Sequence, residues 1–460
     1  MRKYLYWYGA VLLMGLWAGC QPEEDILIRQ NVESLVFSRD TVFFDTVFTQ
    51  INLPVQRLWI KNPNKGAIEV DIALEETLPT PAFTLVINGI RTNALEKVRL
   101  LGQDSLLILV EARLDRLPNN DILLVERHIR FQTTAGTQRL PIHAWGRNAI
   151  LLRDYRVRSD EVWNADQPYI LLSSLIVDSL QHLSIEAGAE IYAYPDVFIF
   201  VAGMLEIKGS AEKPVLLTGI RQEELFKDAP GQWGGIVSAQ GAGQSRIRHA
   251  RIRNARWGFR AGTPDPDTIP DVIIQQTRIE NMSDAGVLAF GSDVTLENTL
   301  INNCLNQTFA AFAGGNYVLD HVTLANFSFD FLRQNPSIAF TNFFESAGLS
   351  FQEPLSVRIR NSILWGSLDE EIFIFDAPGQ SFSLQISHSL IRTQQMTFFE
   401  GNDNVLNQNP RFVAPFFYDY QLDSLSPARD AGWVIPTILQ DILGRARDGR
   451  PDMGAFEYAP

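Results

Sequence analysis

The stretch VTLENTLINN, residues 294–303, recurs in six related copies along this chain and indicates its fold. Each copy has an apolar residue in the third and eighth places, His, Gln or Asn in the fifth, and usually Asn in the last. The copies start at residues 245, 272, 294, 317, 357 and 384, so consecutive starts are 27, 22, 23, 40 and 27 residues apart. A short β-rich motif repeated at about this spacing is typical of one winding of a parallel β-helix.

The apolar places of the repeat are expected to form two continuous columns. A single winding cannot bury its own apolar strands, so windings stack and exchange backbone hydrogen bonds. The segments 183–188 and 205–209 are also 22 residues apart and extend the pattern upstream. Within the 40-residue interval, we expect one degenerate winding around residues 338–340. The columns comprise Ile247, Ile274, Leu296, Leu319, Ile359 and Ile386 in the third place, and Ile252, Ile279, Ile301, Leu324, Leu364 and Ile391 in the eighth.

The segment before the repeats has a different periodicity. Large apolar residues recur at every second position over 68–74, 83–87 and 106–110, and Asn88-Gly89 is a dipeptide favoured in tight hairpins. Alternating strands separated by turn signals predict an antiparallel β-sandwich over residues 31–150. The segment resembles the Ig-like modules that precede other domains in surface proteins, and its expected role is that of a spacer.

The last segment, residues 405–460, departs from the repeat again. Its motifs SPARDAG at 426–432 and RPDMGAFEY at 450–458 resemble the choice-of-anchor Q module that often ends bacterial β-helix proteins. A stacked solenoid leaves an open strand edge, so a C-terminal cap is expected here. Asp441, Asp448 and Asp452 are candidate calcium ligands, although salt bridges to the neighbouring arginines are the favoured use of these carboxylates.

These segments together define the expected fold class. Residues 183–393 resemble right-handed parallel β-helix proteins of the pectin-lyase-like type, and we place the β-helix at residues 165–400. The chain is therefore expected to be all-β: an N-terminal Ig-like β-sandwich, a right-handed parallel β-helix and a C-terminal cap.

The N-terminus indicates where in the cell the protein is expected to be located. Arg2 and Lys3 precede an apolar stretch, 4–16, that is too short to span a bilayer comfortably. Ala18-Gly19-Cys20 resembles the lipobox of bacterial lipoproteins, which implies a signal peptide at 1–19, acylation of Cys20 and a polar tether at 20–30. A plain secretory signal is the alternative. The expected location is the outer membrane, at the cell surface or on the periplasmic face.

Composition excludes one class of partner. The net charge is −14 and no basic run is present, so the sequence carries no electrostatic footprint for nucleic acid. If Cys20 carries lipid, Cys304 has no partner for a disulfide. Its apolar surroundings indicate a buried, unreactive thiol.

Two polar columns accompany the apolar ones, and we interpret both as structural ladders. A metal site needs ligands that converge on one ion, whereas three histidines spread over several windings do not converge. Side chains in such columns can bond to each other or to the backbone of a bend. No metal and no cofactor are expected, with calcium retained as an alternative. The fifth-place column is His249, Gln276, Asn298, His321, Asn361 and His388; the last-place column is Asn254, Asn281, Asn303 and Asn326.

No catalytic residue is assigned, but some residues are candidate ligand contacts. Asp265 and Asp267, with Asp271, lie on a long loop, and Asp369, Glu370 and Glu371 follow one winding; either group could act as acid, base or calcium ligand. Loop carboxylates are more often solvated. Trp233, Trp257, Phe259 and Trp365 could line a sugar-stacking face. Stacking inside the β-helix is the alternative, and is strongly preferred for the phenylalanines.

Three functions remain open from the sequence. We favour non-catalytic binding or adhesion to a polysaccharide or glycoprotein by a protein held at the membrane through its lipid. The alternatives are a lyase or glycoside hydrolase acting on acidic polysaccharide, and a structural surface spacer. The fold does not decide among them, because β-helices carry many activities.

Overall fold

A computed structural model describes residues 26–51, 55–75, 82–224, 226–262, 267, 269–327, 332–346 and 348–459. The chain divides into two compact units, residues 1–148 and 149–460. Among the residues within these ranges, no helix is both long and apolar enough to cross a bilayer.

The N-terminal unit is a sandwich of two five-stranded sheets. One sheet has the order β1-β3-β8-β5-β6 and the other the order β2-β10-β9-β4-β7; all pairs are antiparallel except β2–β10. Alternate residues of both sheets face a shared core, where the rings of Phe44 and Phe83 stack at 5.8 Å. The strands are β1 (Val36–Phe37), β2 (Val42–Phe48), β3 (Val55–Lys61), β4 (Ile68–Glu75), β5 (Phe83–Ile87), β6 (Ile90–Arg91), β7 (Ala94–Leu100), β8 (Ser105–Ala112), β9 (Leu123–Thr133) and β10 (Gly136–Arg147).

The second unit is a parallel β-helix whose windings each place a strand in three long sheets. Stacking begins at Ile150, one winding before the position near residue 165 suggested by the sequence. The strands of the first six windings are β11 (Ile150–Leu152), β12 (Arg156–Val157), β13 (Glu161–Trp163), β14 (Tyr169–Leu171), β15 (Leu175–Val177), β16 (His182–Glu186), β17 (Glu190–Ala193), β18 (Phe198–Val201), β19 (Met204–Lys208), β20 (Val215–Gly219), β21 (Trp233–Ser238), β22 (Ser245–Arg248), β23 (Ala250–Arg253), β24 (Ala255–Ala261), β25 (Val272–Gln275), β26 (Arg278–Met282), β27 (Ala285–Phe290) and β28 (Val294–Glu297).

The remaining strands continue the same three sheets, apart from one inserted hairpin. They are β29 (Leu300–Cys304), β30 (Phe309–Phe312), β31 (Gly315–Asp320), β32 (Thr323–Asn326), β33 (Ile338–Thr341), β34 (Phe343–Ser346), β35 (Leu349–Gln352), β36 (Leu355–Arg360), β37 (Ile363–Gly366), β38 (Ile372–Phe375), β39 (Phe382–Ser387) and β40 (Leu390–Ile391). Sheet 1 runs from β11 through every third strand to β40, sheet 2 from β12 to β38 and sheet 3 from β13 to β39.

The predicted apolar columns are confirmed residue by residue. In sheet 3, Ile274 pairs with Leu296 and Leu296 with Leu319; in sheet 1, Ile279 pairs with Ile301. All these side chains are buried in one continuous core. Burying an aliphatic side chain contributes about 1.5–3 kcal/mol, so the stack rather than any single winding stabilises the fold. The predicted fold class, a β-sandwich followed by a parallel β-helix, is confirmed.

The 40-residue interval contains no extra winding, contrary to expectation. Leu319 pairs directly with Ile359, so the two copies of the motif are adjacent in the stack. Residues 338–341 form β33, the sheet 2 strand of that same winding, and the surplus length includes the antiparallel hairpin β34–β35.

The C-terminal segment lies mainly along the side of the β-helix. Helix α1 (Met396–Phe399) places Phe399 in the core, and β41 (Val405–Leu406) pairs with β40 at the end of sheet 1. The remainder includes β42 (Phe412–Ala414), a 3₁₀ turn (Pro415–Phe417) and β43 (Asp419–Leu422). Its apolar residues, including Tyr420 and Phe456, pack on outward side chains of sheet 1 such as Ile363 and Trp365. It therefore covers this sheet laterally as well as closing its end.

Candidate ligand-binding face

Sheet 2 carries a row of aromatic side chains on its outer surface. Strand residues alternate between the two faces of a sheet. In β18, Ile199 and Val201 face the core, so Phe198 and Phe200 face outward; in β30, Phe309 and Ala311 face inward and Phe312 outward. We call this surface the aromatic face. It comprises Phe198, Phe200, Trp257, Arg260, Leu288, Phe290, Phe312, Phe373 and Phe375.

Two groups of rings on the aromatic face are in contact. Ring centroids lie 5.4 Å apart for Phe198 and Phe200, and 5.9 Å apart for Phe198 and Trp257. Phe290 and Phe312, which are direct partners in the β27–β30 ladder, lie 5.8 Å apart. These separations are within the range of favourable aromatic pairs. The rings within each group therefore support one another.

Part of this surface is open to solvent. Phe200 is 38% exposed, and Phe373 and Phe375 are each 47% exposed, while Trp257 and Phe290 are half-buried. Single exposed apolar residues are ordinary, but a contiguous exposed apolar surface marks an interaction site.

Arg260 lies within the aromatic face. Its guanidinium carbon is 5.2 Å from the ring centroid of Trp257 and 5.4 Å from that of Phe290. Arg256 lies 4.4 Å from the same tryptophan ring, and the Trp257 Nε1–H donates to Asp284 Oδ2 at 2.8 Å. Within the described part of the chain, Arg260 has no carboxylate at ion-pair distance.

The three predicted tryptophans have different environments. Trp257 lies on the aromatic face, as the stacking hypothesis requires. Trp233 is only 2% exposed and donates Nε1–H to the Arg253 carbonyl at 2.8 Å. Trp365 is buried between sheet 1 and the C-terminal segment, with Arg392 5.2 Å from its ring. The assignment of Trp233 and Trp365 as ligand contacts is therefore wrong, because their rings are covered by the protein itself.

The loop carboxylates make local contacts. Asp265 lies outside the described residues. Asp267 Oδ1 accepts the Ile269 N–H at 2.7 Å, and Asp271 Oδ2 accepts the Asp293 N–H at 2.9 Å. Such bonds hold the loop in shape.

The second group of candidate carboxylates is also engaged. Asp369 bonds to Arg392 at 2.8 Å, and Glu370 accepts from the Thr393 hydroxyl at 3.0 Å. Glu371 is fully buried; it forms an ion pair with the equally buried Arg333 at 2.6 Å, and accepts the Ser337 N–H at 3.1 Å. Glu371 is therefore half of a buried structural ion pair and not the loop carboxylate that the sequence suggested.

The fifth-place column forms the bend between sheets 3 and 1. Its members have positive φ, from 44° at Gln276 to 53° at His321, a conformation that Asn and His tolerate better than most residues. Asn361 Nδ2 lies 2.8 Å from His321 Nε2. Asn298 accepts from Arg447 at 2.7 Å, and His388 lies 3.2 Å from Asp403. His249 turns the chain with φ 48°.

The last-place column is a true side-chain ladder over part of its length. Asn281 Nδ2 donates to Asn254 Oδ1, and Asn303 Nδ2 donates to Asn281 Oδ1, each at 3.4 Å. Asn326 continues the column by accepting the Cys304 N–H at 3.1 Å. Among the described residues, no three His, Cys, Asp or Glu side chains are placed to hold a metal ion.

The C-terminal carboxylates bind backbone amides. Asp441 Oδ1 accepts the N–H groups of Leu443 and Arg445 at 2.8 Å, and Asp452 Oδ1 accepts that of Asp430 at 2.7 Å. The ion pair of this segment joins Arg447 to Glu457 at 3.0 Å. Asp448 Oδ1 accepts the Arg450 N–H at 2.7 Å.

Sequence reasoning missed the phenylalanines of the aromatic face. They were assigned to the interior because Phe is most often buried. The pattern FIFV at 198–201 and IFIF at 372–375 contained a usable signal, since period-two alternation cannot place Phe and its Ile neighbour on the same side.

Comparisons with known proteins agree with the fold. Residues 156–258 match the family model of the pectate-lyase-like β-helix domain, which is 103 of 460 residues. No curated protein matches the chain.

Similar solved structures are distant. The chain is similar to the catalytic domain of a GH87 α-1,3-glucanase in complex with tetrasaccharides, with 11% identity over 72% of this chain and 61% of that one and a TM-score of 0.32. It is similar to the Agl-KA catalytic domain with 12% identity over 74% and 81% and a TM-score of 0.24. It is also similar to the E. coli chaperone DraB with 14% identity over 25% and 55% and a TM-score of 0.18. The chain thus spans less than two thirds of the chaperone and of the first glucanase domain.

Proposed function

We propose that this chain is a lipid-anchored surface protein that binds an acidic glycan, without catalysis, on the aromatic face of its β-helix. The observation that carries the proposal is Arg260, a cation without a carboxylate partner among the described residues, held between the rings of Trp257 and Phe290. The apolar C–H faces of a sugar pack on aromatic rings, and a guanidinium pairs with carboxylate or sulfate. One surface thus offers both kinds of contact that an acidic sugar makes.

The carboxylates named from the sequence support binding over turnover. Asp369 and Glu371 are paired with arginines, and Glu370 accepts bonds from the neighbouring turn. A general acid or base must reach the reacting atoms with a free proton site. These groups are used in holding turns together.

Binding is tested by calorimetry with oligogalacturonides and with oligoalginates. We expect Trp257→Ala and Arg260→Gln each to weaken binding roughly tenfold, which corresponds to about 1.4 kcal/mol. Trp59→Ala, on the exposed surface of the N-terminal unit, is the matched control and should bind like the wild type. Release of unsaturated or reducing ends during the titration would select the lyase or hydrolase. No binding to any acidic glycan would favour the spacer.

The anchor depends on Cys20, which lies outside the described residues. The n-region, apolar stretch and small residues before Cys20 support acylation. Metabolic labelling with a fatty-acid analogue should mark the wild type but not Cys20→Ser, and the variant should leave the membrane fraction. Protease treatment of intact cells distinguishes the cell surface from the periplasmic face. Label retained in Cys20→Ser would refute the anchor.

A further inference from the structure

The hairpin β34–β35 is inserted between the sheet 2 and sheet 3 strands of one winding. Its two strands pair antiparallel, with Phe344 opposite Phe351 and Ser346 opposite Leu349. Residues opposite each other share a face, so both phenylalanines lie on one side of the hairpin. Phe351 is half exposed and Leu349 is exposed.

One side of this hairpin lies against the aromatic face. The ring of Phe344 is 5.0 Å from that of Phe290 and 5.8 Å from that of Phe312. These two rings belong to the neighbouring strands β27 and β30. Phe344 therefore occupies the outer side of the ring pair, where a stacked ligand would otherwise lie.

The base of the hairpin is fixed to the following winding. Gln352 Nε2 donates to the carbonyls of Ala377 and Pro378, at 3.0 and 2.9 Å. Asn342 Oδ1 accepts the Ala377 N–H at 2.7 Å, and the ring of Phe343 is 6.4 Å from that of Phe375. Several hydrogen bonds and a ring contact hold the hairpin at this position.

The outward row of sheet 2 shows where the surface is covered. Arg260, Leu288, Ala310, Ala339 and Phe373 are successive partners in the ladder. Ala310 and Ala339 point away from the core yet are 0% and 3% exposed, whereas Phe373 is 47% exposed. The aromatic face is thus interrupted over β30 and β33 and open on both sides of them.

We infer that the hairpin is a stop that limits how long a glycan segment the aromatic face can hold. This inference rests on the proposed function. The larger part, before the hairpin, runs from β18 to β27, which is four adjacent strands with partly exposed side chains on β18, β24 and β27. On β21, the outward Val237 is 8% exposed. At about 4.8 Å per winding, four strands span about 14 Å, room for about three sugar rings. The face therefore recognises a short oligosaccharide or a chain end, and a longer chain gains no contacts beyond the hairpin.

The test compares oligogalacturonides of increasing length on two proteins. The first is the wild type; in the second, residues 343–352 are replaced by a short Gly-Ser linker. We expect the wild-type affinity to rise up to about three or four sugars and then stay level. In the shortened variant, each further sugar should add about a threefold gain. Phe398→Ala, exposed on helix α1, is the control and should keep the wild-type plateau.

A second measurement tests, without any glycan, whether the hairpin covers the outer surface of sheet 2. Ala339→Cys should resist a maleimide in the wild-type background and react once the hairpin is shortened, while Leu288→Cys should react in both. Equal labelling of the two cysteines in the wild-type background would overturn the inference, as would identical length profiles for the two proteins. If no oligomer binds either protein, the proposed function fails and the inference falls with it.

Discussion

His321 provides the sharpest test of the structural role of the fifth-place column. The side chain is fully buried in the bend between sheets 3 and 1, and Asn361 Nδ2 lies 2.8 Å from its Nε2. Burial, reinforced by the charge of Arg447, lowers the pKa of His321 well below its ordinary value of 6.5. The unfolded chain therefore binds this proton more readily than the folded one. The stability is fully present above pH 6.5 and is lost as the pH falls below it.

The size of the effect follows from the linkage. Each pH unit below 6.5 costs about 1.4 kcal/mol until the folded pKa is reached. Asn, the residue at two other positions of the column, adopts positive φ readily and does not titrate. As the pH falls below 6.5, we therefore expect the free energy of unfolding of His321→Asn to rise relative to that of the wild type by up to about 1.4 kcal/mol per pH unit.

Urea unfolding of the full chain at several pH values measures this difference. Gln276→Asn, at a position of the same column without a titrating group, is the matched control and should follow the wild-type profile. Parallel stability profiles for the wild type and His321→Asn would refute the argument, since they would mean that His321 does not carry the pH dependence.

Three further predictions concern buried groups. Glu371→Gln leaves the Arg333 charge unpaired in the interior, so we expect a loss of about 3–5 kcal/mol in urea unfolding; a loss below 1 kcal/mol would show that the pair is hydrated. Asn298→Ala removes bonds to Arg447 and the Gln440 carbonyl and strains a positive φ, and should lower stability by about 2–4 kcal/mol. Burial raises the pKa of Cys304 to about 12, so the folded protein should not react with a thiol reagent at pH 8 until denaturant is added; rapid labelling of the native protein would contradict this.

The sequence predicted the stack because the repeat has a strict side-chain register. Leu296 and Leu319 occupy the same place of the motif, and in the structure they are direct partners. A parallel sheet buried in a solenoid needs the same kind of residue in each winding. The spacing of the motif therefore predicts the fold directly. Insertions break this correspondence. The sequence could not tell whether 40 residues hold two windings or one winding with a hairpin, since short apolar runs such as 338–340 fit either.

The candidate site was only partly predictable. Trp257 was identified, but Trp233 and Trp365, of the same residue type, proved to be covered by the protein. Whether a ring is open to solvent depends on what packs above it. Trp365 is buried beneath a segment that lies about 50 to 90 residues further along the chain, and no local pattern around residue 365 records that contact.

The sequence by itself determined the windings, their interior columns and the polar bends, because these depend on a local pattern repeated at fixed spacing. Only the tertiary structure decided which outer surface stays open. The C-terminal segment covers sheet 1, the hairpin contacts the rings of Phe290 and Phe312 on sheet 2, and other rings of sheet 2 remain partly exposed. These are contacts between segments that are distant in the sequence, and they depend on shape and packing across windings. Such contacts produce no periodic pattern in the amino-acid sequence.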